Sequence, residues 1–120
     1  MTNTAQALYG FWSGFEIPAY MENNVPDDAT LPYLTYNLVE TESTEPSTTY
    51  AQIFYRDTSN VAILAKADAI RQAIGQGKVI PCTDGNIVLR PENPLIQMIV
   101  GETPEEKRVY INLQINCFHM

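Results

Sequence analysis

Few residues of this 120-residue chain combine the type and the spacing that chemistry requires. Cys82, Cys117 and His119 are the soft ligands, and on a strand Cys117 and His119 share one face. A closed zinc site takes four ligands, and no second pair stands elsewhere in the chain, so no metal site is expected. His119 is the only histidine. A Ser–His–acid set would have to be built on the penultimate residue, and no Gly-x-Ser-x-Gly turn is present. Gly75-Gln76-Gly77-Lys78 has the composition of a phosphate loop but follows a helical pattern, whereas an anion-binding loop opens one. The adjacent carboxylates Asp27-Asp28 and Glu105-Glu106 fall in turn-like segments, where solvated charge is the expectation. Glu40, Glu42 and Glu45 lack the spacing and the glycine of a calcium loop. No catalytic constellation, no cofactor motif and no metal site emerges, and the chain reads as something other than an enzyme.

The elements that carry these residues are those of one domain spanning 1–120. Hydrophobic residues make up 45% of the chain, which suits a globular core, and no apolar run is long enough to span a bilayer. With no signal-like segment at the start, folding in the cytosol is expected, and Cys82 and Cys117 read as reduced core thiols. Fourteen acidic residues against seven basic ones give a net charge of −7. That balance argues against a large surface that grips phosphates, but not against one that surrounds nucleic acid without holding it.

The stretch from Thr49 to Ile74 organises the rest. Thr49 to Tyr55 is aromatic and β-branched, as a half-buried strand should be. Asp57, Thr58 and Ser59 offer caps for a helix whose Ile63, Ala67, Ile70 and Ile74 form one apolar stripe. Lys66, Asp68 and Arg71 are left to water, and Gly75 and Gly77 end the helix in the left-handed conformation. Upstream, Thr2 or Asn3 caps a first helix with Ala5, Leu8, Tyr9 and Trp12 on one face, weakened at Gly10 and ended at Gly14. Trp12, Phe15 and Tyr20 either wedge that helix onto a sheet or line a pocket. Glu16 to Pro32 reads as irregular chain, Leu31 to Glu40 as a strand, and Thr41 to Ser47 as a solvated loop. Val79 to Cys82 reads as a short edge strand and Thr83 to Asn86 as a turn. Ile87 to Leu89 and Leu95 to Val100 read as two strands separated by Pro91 to Pro94. Gly101 to Glu106 reads as a polar turn. Arg108 to Phe118 then alternates Val109, Ile111, Leu113, Ile115 and Cys117 with polar residues, the pattern of a strand with one face in the core and one face wet. The fold class expected is α+β: an antiparallel or mixed sheet packed by one long helix and an N-terminal helix.

Ala5-Gln6-Ala7-Leu8-Tyr9 to Trp12, Ile17-Pro18-Ala19-Tyr20, Val25-Pro26-Asp27-Asp28-Ala29 and Leu31-Pro32-Tyr33-Leu34-Thr35-Tyr36 resemble the front half of tail-terminator (tail-completion) proteins of long-tailed bacteriophages. The tryptophan with Pro18-Ala19-Tyr20 is similar to versions in phages of Gram-positive hosts. The similarity runs on through Tyr55-Arg56-Asp57 and the following helix to the last strand. It implies a virion protein, assembled in the host cytoplasm, that forms a hexameric ring at the head-proximal end of the tail tube. There it ends tube polymerisation and presents the docking surface for the head connector. The partners implied are further copies of the chain, the tail-tube protein and a head-completion or stopper protein. DNA passes through without specific binding, and no membrane is involved. A head-completion, stopper or minor capsid protein of the phage neck is the competing reading. Tyr20, Tyr33, Tyr110, Asn112 and Gln114 are the candidate subunit-interface residues, because amphipathic side chains suit surfaces that are wet when free and buried when paired. Glu22, Asp27, Asp28, Glu40, Glu42 and Glu45 are the candidates for loops at the lumen or its rim.

Overall fold

The computed structural model describes residues 3–39, 45–83, 85–100 and 103–119. The sequence folds as an α+β domain in which two helices lie on one side of a curled, mixed six-stranded sheet. The strands are β1 (Ala19–Met21), β2 (Tyr33–Tyr36), β3 (Ser47–Arg56), β4 (Lys78–Cys82), β5 (Gly85–Val100) and β6 (Glu106–His119), and the helices are α1 (Thr4–Trp12) and α2 (Val61–Ile74). The sheet order is β1-β2-β3-β6-β5-β4, with β1 parallel to β2 and every other pair antiparallel.

The alternation in β6 positions the whole molecule. Val109, Ile111, Leu113, Ile115 and Cys117 are all buried, and their strand lies between β3 and β5 at the centre of the sheet. The α2 stripe of Ile63, Ala67, Ile70 and Ile74 is buried in the same cluster as these residues. At 14 residues α2 is of ordinary length, about 21 Å, rather than the long helix expected. Its start is capped from the expected set, by Ser59, but its end differs from expectation. Asn60 occupies the N-cap without a side-chain hydrogen bond, while Ser59 Oγ accepts from Val61 N–H and Asp57 Oδ1 from Ser59 N–H. At the other end Gly75 has φ 55° and ψ −134°, which is not the left-handed helical region but the first central position of a type II′ turn. Gly77 N–H closes that turn on the Ile74 carbonyl at 3.0 Å.

Helix α1 begins at Asn3, whose side chain accepts from Gln6 N–H while Gln6 returns the bond, a reciprocal capping box. Its buried face is Thr4, Ala7, Leu8 and Trp12; Tyr9, expected there, is 53% exposed. The α-helix stops before Gly14, a single 3-10 turn covers Ser13–Phe15, and the chain reverses at Glu16 with φ 69°. Trp12 stacks on Tyr36 at 6.3 Å and Phe11 meets Phe15 edge-on at 5.4 Å, so the wedge reading holds for Trp12 and Phe15. Helix α1 touches both edge strands, β1 and β4, and so spans the gap left by the curl of the sheet.

Lys66, expected to point into water, instead donates to the Phe15 carbonyl at 2.6 Å and ties α2 to the 3-10 turn. Asp68 receives hydrogen bonds from Arg71 and Gln72 on the outer side of α2. Cys117 is buried with its Sγ 3.6 Å from the Val39 carbonyl, Cys82 is half-buried, and the two form no disulfide.

Three further expectations are corrected. The Glu16 to Pro32 segment contains strand β1, held by parallel pairing with β2. The strand expected over Leu31 to Glu40 is confined to the four residues of β2, and Glu40 lies outside the described residues. The two strands expected on either side of Pro91 to Pro94 are one strand, β5. Pro91 pairs with Leu113 and Ile96 with Ile111, so four residues of β5 bulge out opposite the single residue Asn112. Gly85 and Asn86 already belong to β5, and Glu106 to β6, rather than to turns.

Candidate functional site: the helix-free face of the sheet

Because both helices cover one side, the other side of the sheet carries no helix among the described residues. Strand register places successive rows across it. Tyr33, Phe54, Arg108 and Ile99 form one row; Tyr20, Thr35, Gln52, Tyr110 and Gln97 form the next. Tyr50 and Asn112 follow, then Thr48, Gln114 and Arg90. All five residues expected at a subunit interface therefore lie on one continuous surface. Tyr20, expected in irregular chain, is a strand residue, and Tyr33 opens β2 within the strand expected there.

The rings interlock. Tyr20 meets Tyr33 edge-on at 5.7 Å, Tyr33 meets Phe54 at 5.1 Å, and the Arg108 guanidinium carbon lies 5.9 Å from the centre of the Phe54 ring. A cation held over an aromatic face is attracted by the ring quadrupole, so Arg108 is positioned rather than free to sweep. Its Nε is buried and makes no hydrogen bond among the described residues. Tyr50 and Tyr110 pack at 5.4 Å in the rows beside it.

Glu22 belongs to this surface and not to a free loop. Its carboxylate accepts from Tyr50 Oη at 2.9 and 3.0 Å and from Gln52 Nε2 at 3.2 Å. An acceptor there fixes the orientation of the Gln52 amide, leaving Oε1 buried without a partner. The bond to Glu22 raises the pKa of Tyr50 above its ordinary 10.0; a hydrogen bond with Asn37 lowers it, and burial and the neighbouring Glu22 and Tyr110 raise it further. On the far rows Asn112 Nδ2 donates to the Pro94 carbonyl at 3.1 Å, which pins the β5 bulge, and Arg90 donates to Asn116 Oδ1 at 2.9 Å.

The remaining acidic candidates divide. Asp27 and Asp28 are exposed in a turn closed by Ala29 N–H on the Pro26 carbonyl at 3.1 Å, in the connection that leaves edge strand β1. Glu45 is exposed ahead of β3, whereas Glu40 and Glu42 lie outside the described residues. A groove of about 450 Å³ beside the bulge is lined by the amides and hydroxyls of Asn37, Thr48, Thr49, Tyr50, Asn93 and Asn112 and the Glu92 carboxylate, together with the apolar Val39 and Pro94. No three His, Cys, Asp or Glu side chains among the described residues are grouped to hold a metal ion. No described helix is long and apolar enough to cross a membrane.

No protein-family model, curated protein or solved structure matches this chain.

What the surface can do is therefore argued from its own chemistry. Tyrosine and arginine are the side chains enriched where proteins meet, because each offers apolar area together with a polar tip. The sequence reading named Tyr20, Tyr33, Tyr110, Asn112 and Gln114, and the register adds Phe54, Tyr50, Gln52 and Arg108 to the same face. The period-2 pattern of β3 held the signal: Tyr50, Gln52 and Phe54 alternate with the buried Ala51 and Ile53.

Proposed function

We propose that this chain is a structural subunit that caps the head-proximal end of a phage tail tube as a ring, ends tube growth and offers the surface on which the head connector docks. The observation that supports this reading best is the helix-free sheet face. It presents Tyr20, Tyr33, Tyr50 and Tyr110 with Phe54 and Arg108 as one half-buried, pre-packed surface. Such a face suits a subunit that is stable alone and covered when assembled. The sequence segments that resemble tail terminators supply the identity of the assembly, and the six-fold symmetry comes from that resemblance alone. A net charge of −7 suits a conduit through which DNA slides, since phosphate is repelled rather than held. In this reading the Glu45 segment lies at the opening or its rim, and the chain performs no catalysis.

A ring subunit meets its neighbours through two different patches, and closure depends on the angle between them. Light scattering coupled to size exclusion, over a wide concentration range and with tail-tube protein added, tests the proposal. The expected result is a monomer or small oligomer when dilute that moves to rings when concentrated or when tubes are present. A strict monomer under every condition, with no effect on tube length, would remove the terminator reading. Recovery of the protein on filled heads but never on headless tails would favour a stopper.

A further inference from the structure

Resting on the ring reading, we infer which two patches meet: the Pro26-Asp27-Asp28 turn of one copy docks on the Arg108–Phe54–Tyr33 row of the next. Two chains that each carry −7 repel, so a contact between them must set a basic patch of one against an acidic patch of the other. Only seven basic residues exist to supply it. Three of them, Arg56, Arg90 and Arg108, are on the helix-free face by register.

Arg108 is the best placed of the three. Arg90 is engaged with Asn116. Arg56 reaches Glu106 at 3.9 Å, an exposed pair of little strength. Arg108 has no ion pair among the described residues, its Nε lacks a hydrogen bond, and its guanidinium carbon lies over Phe54, 5.9 Å from the ring centre. A guanidinium held in this way is poised to receive carboxylates from outside the chain.

The acidic side is equally specific. Asp27 and Asp28 are exposed neighbours at the tip of a turn whose Pro26 is also exposed. Two carboxylates beside a proline ring match one guanidinium over the Phe54 ring, with Tyr33 next in the row. The turn follows β1 at the sheet edge, whereas Arg108 is on β6, three strands inward and so about 14 Å away at the usual strand spacing. The two patches thus sit apart on one molecule, and joining them between molecules produces a head-to-tail contact. The broad side of a molecule 47 × 31 × 20 Å in extent has room for the roughly 800 Å² per partner of a standard interface.

The test is charge exchange in the full chain. Arg108→Glu alone, or Asp27→Lys with Asp28→Lys, is expected to weaken self-association at least about tenfold, because like charges then face each other across the contact. An equimolar mixture of the two variants is expected to recover assembly, since each junction again pairs opposite charges. The triple variant in one chain should do the same. Thermal melting checks that each variant is folded; if Arg108→Glu is not, Arg108→Gln removes the charge at closer to the original size. Rings that form normally from either single-sided variant, or a mixture that stays dissociated, would overturn this contact while leaving the ring reading intact. A wild-type chain that never self-associates would overturn both.

Discussion

Replacing Leu113 with alanine probes whether β6 and α2 share the core in the way described. Leu113 is 0% exposed, pairs with Thr49 on one side and Pro91 on the other, and belongs to the cluster that holds the α2 stripe. The substitution removes three carbon groups, worth about 0.8 kcal/mol each on transfer from water, or about 2.4 kcal/mol. A cavity of about 80 Å³, were nothing to relax, would add about 2 kcal/mol at about 24 cal/mol per Å³. Strands on both flanks limit collapse, so the expected loss is about 2.5–4.5 kcal/mol. That is a large share of the roughly 6–18 kcal/mol typical of a chain this size. Urea unfolding followed by far-UV circular dichroism should show the midpoint falling by about 1 M or more with an unchanged slope. Val61→Ala is the control: Val61 is 74% exposed on the same helix whose stripe covers Leu113, and its loss should be within about 0.5 kcal/mol. A Leu113→Ala loss below about 1 kcal/mol, or a Val61→Ala loss of equal size, would refute the core placement.

Two glycine substitutions should move stability in opposite directions. Gly75→Ala should cost about 1–3 kcal/mol through backbone strain alone, because φ is 55° while an added Cβ would meet nothing closer than the Gln72 carbonyl at 4.0 Å. Gly10→Ala should gain up to about 1 kcal/mol, since Gly10 is inside α1 with nothing within 4 Å of a new Cβ; thermal melts of both variants decide the matter. Burial raises the pKa of Tyr36 and Tyr55 above the ordinary 10.0, with Tyr9 adding to the rise at Tyr36. The folded state therefore keeps those protons after the unfolded state releases them. Stability from these groups is full below pH 10 and is lost as pH rises above it, and Tyr36→Phe with Tyr55→Phe should flatten the fall in urea midpoint.

The elements legible in the sequence are those whose burial is decided locally. In β6 every second residue is apolar because one face meets the helices, while the other is polar and part-exposed apart from the buried Asn116, so the strand shows its own period. The α2 stripe is legible for the same reason at helical spacing. Strand β1 was not, because three residues after Pro18 form a strand only when β2 lies beside them. The continuity of β5 was hidden by Pro91 and Pro94. Proline cannot donate to a ladder, and here Pro91 stands opposite Leu113 as the last paired residue before the ladder skips four residues that include Pro94, with Asn112 fastening the bulge from the opposite strand. On the candidate surface, the tyrosines were visible one by one as amphipathic residues. Their association was not, since the Glu22 bonds to Tyr50 and Gln52 join positions 28 and 30 residues apart.

Those bonds bear on why the helix-free face suits the proposed association. Ordering rotamer-rich side chains at an interface costs about 0.5–1.5 kcal/mol each. On this face much of that ordering is already complete in the single chain. Glu22 is held by Tyr50 and Gln52, Tyr33 by Tyr20 and Phe54, and Arg108 by Phe54. An arriving partner would meet groups fixed in place, and less of its contact energy would be lost to freezing them. The same packing lets the rings of Tyr20, Tyr33 and Phe54 shield one another in the single chain. A face organised in this way can remain uncovered at low concentration and still close firmly when neighbours are supplied, which is the behaviour a tube-capping ring needs.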